Sequence, residues 1–179
     1  QKIIYWGDIA GRTKSFIEFR SSMEQLRKKR TDFKVWVPLL KDNNKFFKND
    51  WVINNNSINK RIYFKYLRNC CVGVSPKRQF HDWDKTISQG IKSGIPFIIY
   101  DSVVSKILYG ESTFYKSNKD LISLLNKYLD DSQFRNSIVE KLIGELINKH
   151  NFLKKVKVFD RMINKTLKGV KSVHNKRTK

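Results

Sequence analysis

The chain has no apolar run approaching the 18 or more residues that a membrane-spanning helix requires, and no signal peptide at its start. It has two cysteines, and they are neighbours, Cys70 and Cys71. Adjacent residues on a strand point to opposite faces, so this pair is poorly placed for a disulfide. Both read as small core residues of a reducing compartment, which predicts a cytoplasmic protein. No Cys and His cluster has zinc spacing, and no Asp-rich loop has calcium spacing. Neither a GxGxxG nor a P-loop motif occurs, and no internal repeat is visible. Gln1 stands where an initiator Met would, which predicts a fragment or processed form of something longer.

Acidic residues are also scarce. Of the 179 residues, 37 are Lys or Arg and 16 are Asp or Glu, a net charge of +21. A disordered chain with that charge would have few large apolar residues. This one has 12 Phe, 7 Tyr and 4 Trp, enough for a real core. Residues 151–179 hold ten Lys or Arg and one acid, Asp160, a net of +9. A field of this size attracts polyanions and nucleotide phosphates alike. The bland alternative is an AT-rich genome that has filled the surface with Lys.

The pattern alternates strand and helix. Strands are expected at 2–6, 33–37, 51–53, 70–74, 96–100 and 113–115. Helices are expected from Thr13 to Arg30, from Ser57 to Arg68, from Trp83 to Ser93, and from Ser102 to Leu108. Gly94 is the natural C-cap of the third of these. Further helices fit 118–129, opened by a capping box at Ser117, then 132–149 and 152–168. Six strands alternating with helices predict an α/β protein: a Rossmann-like, doubly wound, parallel six-stranded sheet with extra C-terminal helices. The expected division is a donor-binding domain over 1–150 and a basic C-terminal helix and tail over 151–179. In such sheets ligands bind beyond the carboxyl ends of the strands, so the loops there carry the function.

The first of those loops, GDIAGRTK, places Gly7, Gly11, Arg12 and Lys14 between a strand and a helix N-terminus. Backbone N–H groups and the helix dipole favour an anion there, and Arg12 and Lys14 add charge-assisted bonds to a diphosphate. As a bland alternative, the loop is a Gly-rich turn with two solvated cations. Asp101 and Ser102 follow the fifth strand at the same edge, where Ser102 reads as a plain helix cap. Trp6 and Trp36 read as core residues, and His150 and His174 as solvated.

A longer pattern is more specific. It runs Val72-Gly73-Val74-Ser75-Pro76, then HDWDKTISQGIKSGIPFIIYDS from His81, YKSNKDL from Tyr115 and LLNKYLDDSQFR from Leu124. In order and spacing, residues 2–136 resemble the C-terminal, nucleotide-sugar-binding half of GT-B fold glycosyltransferases. The resemblance implies a transferase domain that binds a nucleotide-activated sugar, a UDP or GDP sugar, without a metal or other cofactor. The diphosphate would lie against Gly11, Arg12 and Lys14 and against Trp83, Asp84, Lys85 and Thr86, which open the next helix. The family's paired glutamates fall on His81 and Gln89, so these two would meet the sugar and the ribose. Gln89 keeps a carbonyl acceptor and two N–H donors, whereas His81 does not replace a carboxylate. The family's Phe-Gly step is Trp83-Asp84 here, and its Gly-Arg is Gly7-Asp8, with Arg12 the nearest substitute. Trp51 would shape the pocket for the base.

The resemblance further implies an N-terminal domain that supplies the acceptor site, so this chain alone would bind donor without turnover. The charge points to a polyanionic acceptor or surface, with DNA modification one reading and an anionic membrane another. The stripe Phe152, Val156, Phe159 and Ile163 would be buried, leaving Lys154, Lys155, Lys157, Lys165 and Lys168 for the polyanion. The alternative is non-catalytic: a nucleic-acid-binding module on a Rossmann-like scaffold whose donor pocket has decayed.

Overall fold

The computed structural model describes residues 2–7, 13–38, 45–54, 59–75, 85–110 and 112–149. Residues 1–143 form one compact unit and 144–179 a second.

The first unit is built on six strands: β1 (Lys2–Trp6), β2 (Phe33–Val37), β3 (Val52–Asn54), β4 (Val72–Ser75), β5 (Phe97–Tyr100) and β6 (Thr113–Tyr115). Every pairing is parallel and the spatial order is β3-β2-β1-β4-β5-β6. This is the doubly wound sheet the alternation predicts, with its switch point between β1 and β4. The helices are α1 (Lys14–Arg27), α2 (Lys60–Arg68), α3 (Lys85–Lys92), α4 (Val103–Leu108), α5 (Asn118–Asp130) and α6 (Ser132–Lys149). Among the described residues, no helix is long and apolar enough to cross a membrane.

Alternation along β1 sorts the core into two layers. Trp6 points to one face, where it stacks on Phe19 of α1 and meets Phe16 edge-on. Tyr5 points to the other, against Trp36, Phe97 and Tyr63 of α2. Its hydroxyl shares a 2.8 Å hydrogen bond with that of Tyr63. Trp6 and Trp36 are fully buried, as expected.

Helix α1 ends at Arg27, close to the expected end near Arg30, whose amide still donates to Leu26; the Arg27 guanidinium donates to the carbonyls of Thr31 and Phe33 and lies over the rings of Phe33 and Trp51. Three local features differ from the sequence reading. Asn59, not Ser57, caps α2: its side-chain oxygen accepts from the Ile62 amide at 2.9 Å. Cys70 ends the α2 turn instead of opening β4, since its amide donates to Leu67 and its thiol to the Tyr66 carbonyl. A 3-10 turn at Lys45–Lys48 was not foreseen; its Phe46 packs edge-on against Phe16 and Trp51. Both thiols are free, and burial raises the Cys70 pKa.

The other caps match the sequence. Thr13 caps α1 and Ser102 caps α4. Ser117 and Asp120 form the capping box of α5. Gly94 follows α3 with φ 83°, a conformation that glycine adopts without steric cost.

Candidate functional site at the carboxyl edge of the sheet

Because all strands are parallel, Gly7, Pro38, Asn54, Ser75, Asp101 and Lys116 end on one edge, where the helices begin. At the switch point the packing is unusually close. The Phe97 ring lies flat on backbone: a Cβ at Gly73 would come within 2.5 Å of it, and one at Gly90 of α3 within 2.1 Å. With no side chain on either glycine, the Phe97 ring of β5 fills the space between β4 and α3. Gly7 closes the same junction. Its amide donates to the Val74 carbonyl at 2.9 Å, and a Cβ there would lie 3.1 Å from that oxygen and 3.6 Å from Thr86 Cγ2. The mouth of the first loop and the first turn of α3 therefore meet.

Electrostatics differs across this edge. Helix dipoles favour acids in the first turn. Yet α1, α2 and α3 have none there. They open instead with Lys14, with Lys60 and Arg61, and with Lys85. On the far side α4 also has no acid in its first turn, and α5 has one. Asp120 sits in the first turn of α5, its pKa lowered by hydrogen bonds from Ser117 and the backbone. Asp101, just before α4, pairs with Lys106 at 2.9 Å and Lys116 at 3.6 Å, and its pKa is lowered too.

Between the two sides lies a buried polar group. Tyr115 donates to the Ser75 carbonyl at 3.3 Å, and its pKa is raised by burial and then by the charge of Glu18. Ser75 is fully buried, and its Oγ has no hydrogen-bond partner among the described residues.

The chain's architecture matches known structures. The isolated C-terminal domain of a group 1 family glycosyl transferase, LpcC from Francisella tularensis, superposes with a TM-score of 0.67 at 14% identity over 83% of this chain and 86% of that one. The α,α-trehalose-phosphate synthase (UDP-forming) from Burkholderia vietnamiensis gives 0.66 at 11% identity over 88% of this chain. TarM from S. aureus, in complex with fondaparinux, α-GlcNAc-glycerol and UDP, gives 0.68 at 14% identity over 86%. The fold is that of a GT-B C-terminal domain. No protein-family model matches the chain, and no curated protein matches it by sequence. This GT-B-like chain covers 45% of the synthase and 34% of TarM, less than half of either.

On this GT-B scaffold, Lys14 is exposed at the start of α1, Lys85 opens α3, and Thr86 abuts Gly7. Gln89 is half-buried one turn beyond Thr86. Gly11, Arg12, His81, Trp83 and Asp84 lie outside the described residues, as do Lys154, Lys155, Lys157, Lys165 and Lys168. Trp51 is corrected: it precedes β3, away from the carboxyl edge, and is buried between Phe33 and Phe46, so it does not line a pocket for a base. Sequence reading missed Ser75 with Tyr115. Among the described residues no cluster of His, Cys, Asp and Glu suits a metal ion.

Proposed function

We propose that the chain is the donor-binding half of a glycosyltransferase and holds a nucleotide-activated sugar, a UDP or GDP sugar, at the switch point. The observation that carries this reading is the meeting of Gly7 and Thr86, flanked by helices that open with cations where acids are the rule. The diphosphate is bound by Gly11, Arg12 and Lys14 on one side. On the other are Lys85 and the backbone amides of residues 83–86. These groups stabilise the negative charge that builds on the leaving diphosphate, without a metal. His81 faces the sugar and Gln89 the ribose. The acceptor site comes from a second domain, and the acceptor is a polyanion, DNA being one candidate. The cationic tail over 151–179 meets it through Lys154, Lys155, Lys157, Lys165 and Lys168.

Calorimetric titration with UDP, GDP, ADP and their sugars tests the reading. One of them is expected to bind, with Gln89→Glu retaining affinity and Gln89→Leu weakening it. Absence of binding by all of them at millimolar concentration would overturn the proposal.

A further inference from the structure

The outer face of α2 belongs to none of the chemistry above. Its inner face is fully occupied: Tyr66 stacks on Trp36, Tyr63 meets Tyr5 and Trp36, and Leu67 is buried. Outward, at about 100° per residue, Arg61, Lys65 and Arg68 fall within roughly 60° of arc and form one ridge about 10 Å long. All three are exposed, as is Lys60 beside them. The helix has no acid in its nine residues. None of these four cations has an ion-pair partner among the described residues, although Lys2, Arg20, Arg30, Lys106 and Lys116 all have one. Complementing the helix dipole accounts for Lys65 and Arg68 in the last turn. It does not account for Lys60 and Arg61, which stand in the first turn against that dipole.

We infer that this ridge is a docking surface for the phosphodiester backbone of duplex nucleic acid. A row of unpaired cations on a straight, rigidly backed helix fits a line of phosphates, and each contact releases condensed counterions. A lipid surface is the poorer match. An interfacial helix needs an apolar face to insert, and here that face is packed on the sheet, leaving Ile62 outward. The inference is independent of donor binding and of the tail.

The test is binding of the full chain to a short labelled duplex, followed by anisotropy across a salt series. The variant Arg61→Gln/Lys65→Gln/Arg68→Gln is compared with Lys28→Gln/Lys29→Gln/Lys119→Gln, which removes equal charge from exposed positions elsewhere. Circular dichroism confirms that both fold. The ridge variant is expected to flatten the slope of log K against log salt by about 2–3, and the control by less than about 1. Equal flattening in both, or no change in the ridge variant, overturns the inference. So does loss of binding to phosphatidylserine vesicles with duplex binding intact, which would assign the ridge to membranes. Nucleotide titration of the ridge variant keeps this outcome separate from the donor site.

Discussion

The two edges of the sheet use charge in opposite ways. At the amino edge Lys2, Arg30, Asp32 and Asp130 match one another. Arg30 makes a bidentate pair with Asp32 at 2.7 Å and reaches Asp130 at 2.7 Å and Asn126 at 3.1 Å. Lys2 bridges the same two aspartates at 2.9 and 3.0 Å. This clamp joins the start of β1, the approach to β2 and the end of α5. At the carboxyl edge, cations face helix N-termini that repel them, and the buried Ser75 hydroxyl has no hydrogen-bond partner among the described residues. Charge at the first edge contributes stability. At the second it is held at some cost to stability, which is how binding sites commonly depart from local rules.

The comparison breaks most sharply at the junction both edges depend on. Gly90→Val drives a branched side chain into the Phe97 ring and is expected to cost about 2–3 kcal/mol in urea unfolding, by overpacking. It should also weaken nucleotide binding, because α3 must move. An unchanged midpoint would show that α3 is not held by this contact.

Arg30→Ala comes next. Its partners are half-exposed, so the clamp is worth less than a buried network, and about 1–2 kcal/mol is expected. Nucleotide affinity should stay the same, which would separate the two edges.

Acid sharpens the same contrast. The carboxyl of Asp130 is lowered to about 2, first by hydrogen bonds from Arg30, and Asp32 is lowered further. Lowered carboxylates stabilise the fold above their unfolded pKa, and that stability is lost as pH falls through the folded values. Stability should therefore decline between about pH 4 and pH 2 in the parent and decline less in Arg30→Ala. Urea midpoints across this range are the measurement.

The smallest effect has the most informative sign. Lys14→Gln removes a cation from the first turn of α1 and should raise stability by a few tenths of a kcal/mol. It should also lower affinity for a nucleoside diphosphate several-fold. A variant less stable than the parent would refute the view that this edge holds its charge at a cost.

The sequence carried the strands and most of the caps well, because both are local. Apolar runs such as Phe97–Tyr100 mark buried parallel strands, and Ser117 with Asp120 announces its capping box. It carried the clamp not at all. Asp130 lies 100 residues from Arg30 and 128 from Lys2, and no spacing rule links them. Trp51 failed for a related reason. The strand was located correctly, but whether its flanking ring faced a pocket or the core depended on Phe46, in a turn hidden among Lys and Asn. At the site, the meeting of Gly7 and Thr86 was implied only through the resemblance, since it needs β1 and β4 side by side.

That adjacency has a consequence for how the chain is made. Strand β1 lies at the centre of the sheet, yet its neighbour β4 begins only at Val72 and its clamp waits for Asp130. At about 5–20 residues per second, the ribosome takes roughly 6–25 s to deliver Asp130 after Lys2. Until β4 emerges Ile3, Ile4, Tyr5 and Trp6 have at most one strand partner, β2, and until Asp130 emerges Arg30 has only the nearby Asp32. A central strand of the finished domain is the one whose pairing waits longest during synthesis, and chaperones that hold emerging chains would meet it in that window.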